Sequence, residues 1–145
     1  MAEPPIAAHL RLLLWGIALL ATVFTPLELV FAKHTQEFTQ LIPFGMAGLA
    51  LAGLLAVRRW PGPRVLRAFQ GVMGLLFLVS ALGVWFHLRG NLEVVREVAP
   101  SLTGWPMLWK VMSGAAPALA PGLLAFVGML GLAFTKGHPG WGVRN

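Results

Sequence analysis

Glu28, His34 and His87 combine titratable chemistry with positions in or beside long apolar runs. Two imidazoles on separate segments at equal membrane depth suit bis-imidazole ligation of haem b iron. With the carboxylate of Glu28 added they suit zinc or a similar divalent ion. His34 and Glu37 are three residues apart and share a helical face. The stretch "GVWFHLRGNLEVVRE", residues 83–97, adds Arg89, Asn91, Glu93, Arg96 and Glu97, while Gln36, Glu37 and Gln40 add hydrogen-bonding groups after the first apolar run. Glu28, His34, Gln40, His87, Asn91 and Glu93 are therefore the candidate ligand-binding residues, and His34, His87 and Glu28 the candidate metal ligands.

Each has a plainer role to set against that one. Glu28 can snorkel to the interface or pair with Arg89, and each histidine can satisfy a separate backbone group. Asn91 reads first as a helix cap. Glu93 and Glu97 repel at i, i+4, but Arg89 and Arg96 offer ion pairs that relieve them. The chain holds no Ser/His/Asp set, no phosphate loop, no HxxxH and no CxxCH, and it lacks Cys, Tyr and Asp altogether. No catalytic residue is assigned, and the reading leans against an enzyme.

The elements that must position these residues are membrane helices. Of 145 residues 57% are hydrophobic and only 11% charged, far too few charges for a water-facing surface. Four segments approach the roughly 20 apolar residues a crossing needs: Leu12–Ala32, Leu41–Val57, Ala68–His87 and Ala115–Thr135. The expected fold is all-α: one integral membrane domain over residues 1–145, a four-transmembrane-helix bundle. The third connection, Leu88–Ser113, is the only long one. In it "NLEVVREVAP" reads as a short helix with Asn91 as N-cap and Pro100 as terminator. "GWPMLWKVM" reads as an amphipathic segment in the headgroup region. Together they form the expected lid between spans three and four.

Small residues should let the helices approach closely: Gly16 and Ala21 in span one, Gly48, Ala52 and Ala56 in span two, Gly71, Gly74, Ser80 and Gly83 in span three, Gly114, Ala118 and Gly122 in span four. Pro117 and Pro121 should fall in the first turns of span four, where a missing N–H matters least. Trp15 and Trp60 mark one interface; Trp85, Trp105 and Trp109 mark the other.

The net charge of +6 comes from basic residues placed for topology rather than for nucleic acid. Arg11, Arg58, Arg59, Arg64, Arg67, Lys136 and Arg144 share one side, with anionic lipid as a secondary partner. Lys33, Arg89, Arg96 and Lys110, with four of the five acids, take the other. The positive-inside rule puts both termini in the cytoplasm of what is expected to be a bacterial inner membrane. A cleaved signal peptide ending at "VFA" is the rival for span one; its length and Glu28 favour a retained helix. The two tails are expected to be short and mobile. The four-span plan, with the turn "LLAVRRWPGPRVLRA" between spans two and three, resembles that of the DoxX-like membrane proteins, a likeness that implies the membrane fold and no residue role.

Function is expected to lie in a polar extracytoplasmic pocket around spans one and three. The first expectation is an accessory or binding subunit, with other membrane subunits or a second copy as partner. The second is a redox protein holding haem b or a metal through His34 and His87. The third is a small solute or proton carrier using Glu28.

Overall fold

The computed structural model describes residues 4–117 and 119–142; Ala118 and Arg144 lie outside them. The described chain is all-helical: α1 Pro5–Phe31, α2 Phe38–Arg59, α3 Pro63–Val98, α4 Gly104–Met112, α5 Gly122–Thr135 and a 3₁₀ turn Pro139–Trp141. The first three are long and apolar enough to cross a membrane, and α5 is a shorter apolar helix. At 1.5 Å per residue α1, α2 and α3 extend about 40, 33 and 54 Å, and α5 only about 21 Å.

Prolines and backbone geometry set the boundaries. Pro5 and Pro63 open α1 and α3, where no N–H is needed. α1 closes in a Schellman motif: Lys33 takes φ 55°, Lys33 N–H donates to Val30 O and His34 N–H to Leu29 O. Gln40 holds the start of α2, its Oε1 accepting from Gln36 N at 2.9 Å and from Glu37 N at 3.4 Å. The residue expected to bind a ligand thus serves a helix start.

Two expected boundaries are corrected. Asn91 is not an N-cap, because α3 runs unbroken through it to Val98. A lone Gly90 costs only about 1 kcal/mol, and the helix formers around it outweigh that. α5 begins at Gly122, not Ala115. Pro117 and Pro121 leave two missing N–H groups so close together that the described backbone on either side of residue 118 turns instead, with Ala120 N bonded to Pro117 O and Gly122 N to Leu119 O.

α1 packs on α2 and α5, and α3 on the same two helices, while α4 touches α3. The core between them holds Ala18, Ala50, Leu54, Val57, Leu66, Phe69, Met73, Leu76 and Val127, each at most 2% exposed. Phe69 and Phe134 meet edge to face at 6.1 Å. Close approach follows the expected small-residue faces only in part. Gly16, Gly48, Gly71, Gly74 and Gly122 have nothing within 4 Å of an added Cβ, and Ala52 is exposed. Of the expected glycines, Gly83 lies tight against Pro121 and Gly114 against Asn91; Gly53 against Phe69, and Gly128 and Gly131 against Met73, are close approaches outside those faces. Leu13, Leu20, Phe24, Leu27 and Phe31 line the outside of α1, a surface suited to acyl chains and not to water.

The C-terminal segment is also corrected as far as Gly142. It folds back, Trp141 Nε1 donating to Thr135 O at 2.8 Å.

Candidate functional site

Ser80, Gly83, His87, Asn91 and Val95 occupy one face of α3, spaced three or four residues apart. This face meets the irregular chain between α4 and α5. Gly83 lies against Pro121, and a Cβ on Gly114 would collide with the Asn91 amide. Asn91 is 5% exposed. Its Nδ2 donates to Val111 O at 2.8 Å and Ala116 O at 2.7 Å, and its Oδ1 accepts from Ala116 N at 3.2 Å. One turn earlier, His87 Nδ1 bonds Pro117 O at 2.8 Å. Non-helical backbone near membrane depth persists only where its polar groups are satisfied by protein or water. Asn91 and His87 supply that satisfaction where the two prolines remove the helix.

A carbonyl can only accept, so Nδ1 of His87 carries the proton and neutral His87 keeps its lone pair on Nε2. Orientation of one ring nitrogen by a backbone carbonyl is a recurrent arrangement around ligating histidines. The Schellman turn brings His34 beside it, the ring centroids 6.1 Å apart and the planes at 58°. Burial, and secondarily the His87 imidazole, hold the His34 pKa below the usual 6.5. Two imidazoles from separate elements thus meet at one end of the molecule.

The remaining candidates do not join them. Glu28 is exposed on α1, and among the described residues no three His, Cys, Asp or Glu side chains group as an ion site. Glu93 pairs with Arg89 at 3.1 Å, both side chains more than 60% exposed. Such a pair contributes about 0–1 kcal/mol. α4 turns Trp105, Leu108, Trp109 and Met112 outward, as a helix lying in the headgroup layer does.

The opposite end holds an arrangement missing from the sequence reading, which gave Arg11 a topological role alone. Arg11 Nη1 donates to Phe134 O at 2.6 Å and Lys136 O at 3.3 Å, and Nη2 to Gly137 O at 3.3 Å. It caps the carbonyl end of α5 and ties it to the start of α1. The signal was present in the alternation of helix directions, which brings residue 11 and residue 136 to the same end. Beside this clamp, Trp15 Nε1 donates to Leu54 O at 2.9 Å and Arg58 lies 6.0 Å over the Trp15 ring. A cavity of about 300 Å³ opens among Arg11, Trp15, Arg58, Pro61, Phe134 and their neighbours. A second, of about 250 Å³, lies between α1 and α2 near Thr22, Pro26 and Phe44.

No family model, no curated protein and no solved structure matches this chain.

Proposed function

We propose that this is a four-span integral membrane protein, an accessory or binding subunit whose polar pocket lies at the extracytoplasmic mouth beside α1 and α3. The observation that carries the reading is the meeting of His34 and His87 at 6.1 Å, next to a backbone segment that His87 and Asn91 hold in place. The fourth crossing is supported by register along α3. Gln70 Nε2 bonds Thr135 Oγ1 and Asn91 bonds Val111 O, so α5 with the chain before it follows α3 over about 32 Å, a full hydrocarbon thickness. The basic end, with Arg11, Arg58, Arg59, Arg64, Arg67 and Lys136, is cytoplasmic by the positive-inside rule, in keeping with a bacterial inner membrane. α4 and the end of α3 form a partial cover over the outer mouth. The partner is another membrane polypeptide or a second copy of the chain.

Extraction of the native protein in a mild detergent, followed by light scattering, tests this. An oligomer or a stoichiometric complex is expected; a partner-free monomer opposes the reading. His87→Ala should weaken that complex.

The tautomer of His87 and the nearness of His34 favour a second reading, a haem b or divalent metal held between the two rings with water or a partner completing the coordination. The native protein should then show a Soret band or about one metal per chain, lost in His34→Ala. A colourless, metal-free preparation rules it out. A carrier role for Glu28 ranks last, since its side chain lies outside the paired histidines.

A further inference from the structure

The geometry points to a binding site for the phosphate of an anionic phospholipid in the cavity at the basic end, with Arg58 as its principal contact. This site is at the opposite end from the proposed histidine pocket and stands or falls separately.

Three observations support it. The walls combine apolar groups, Leu12, Trp15, Val57 and Phe134, with the guanidinium groups of Arg11 and Arg58, the chemistry of an acyl-glycerol joined to a phosphate. Arg58 is exposed and its guanidinium carbon lies 6.0 Å over the Trp15 ring at the cavity wall, and a guanidinium is the side chain best suited to grip a phosphate bidentately. The four described carboxylates, Glu28, Glu37, Glu93 and Glu97, stand at or toward the other end of the helices, so no described acid competes for the cavity. Arg11 is committed to the carbonyls of α5 and contributes positive potential, not the primary contact. The cavity lies where three membrane-length helices begin or end, at headgroup level, with exposed Trp60 nearby. A lipid is therefore the occupant, not a free anion. About 300 Å³ accommodates the headgroup while the chains run along the outer face of α1.

The test is native mass spectrometry of the detergent-purified full chain titrated with dioleoylphosphatidylglycerol or dioleoylphosphatidylcholine. The anionic lipid should bind first and about fivefold more tightly. Arg58→Gln should remove that preference, and Arg58→Lys should retain part of it. Arg59→Gln, with the same change in charge outside the cavity, should leave it within about twofold. Equal loss in Arg58→Gln and Arg59→Gln would mean diffuse surface attraction and overturn the site. So would equal binding of the two lipids by the unaltered chain. Full displacement of the phosphatidylglycerol by millimolar inorganic phosphate would reassign the cavity to a small free anion.

Discussion

Asn91 is the residue on which the histidine-bearing end most depends. Its amide makes three hydrogen bonds to backbone 20 and 25 residues away, and removing it leaves Val111 O and Ala116 N and O without those partners inside a protein wall. Unsatisfied buried groups cost about 1–3 kcal/mol each. Asn91→Ala should therefore lower unfolding free energy by about 3 kcal/mol in detergent, measured by thermal or denaturant unfolding; a loss below about 0.5 kcal/mol contradicts the clasp. His34 supplies a pH signature. Its folded pKa lies below 6.5, so below pH 6.5 the unfolded chain binds the proton that the folded chain resists. Stability should then fall as pH drops from 6.5 toward the folded pKa, and level off beneath it. His34→Gln should flatten that part of the profile of melting temperature against pH. An unchanged slope in the variant would assign the effect to other groups.

At the scale of the elements, the end of α1 and the α3–α5 contact make opposite predictions. Lys33 holds a left-handed conformation, φ 55°, that favours glycine. Lys33→Gly should raise stability by about 1 kcal/mol while keeping His34 beside His87. Gly128 and Gly131 allow α3 and α5 to touch, and a Cβ on Gly128 would come within 2.6 Å of Met73 O. Gly128→Val should destabilise by about 2 kcal/mol or more; a neutral result would mean the helices separate more easily than this packing implies. The three long helices were legible in the sequence because an apolar run is a local property. The extended end of α3 and the late start of α5 have local causes, yet were open to misreading because Asn suits a cap and Pro a first helical turn. What no local property shows is that Asn91 and His87 meet backbone far along the chain. His87 on the face of Ser80 and Gly83 was legible from spacing alone. The direction of Glu28 was not, because a helix's rotation is set by its neighbours. For the same reason Gly48 and Gly71, small but facing outward, misled as contact points.

For the whole molecule, the two ends divide the chemistry. One gathers arginines, an α5 clamp and an apolar-walled cavity; the other gathers the four described carboxylates, two imidazoles and an exposed aromatic helix. This division rests on the chain crossing the membrane four times, with both described ends on the basic side. The protein has no cysteine, so single cysteines can report the topology against a clean background. Cysteine variants at Lys33, Glu93, Arg59 and Lys136, all exposed, should be treated in intact cells with a membrane-impermeant maleimide. Positions 33 and 93 should react at once, and 59 and 136 only after permeabilisation. Reaction of 93 and 136 from the same side would show that α5 does not cross, and the two-ended account would be wrong.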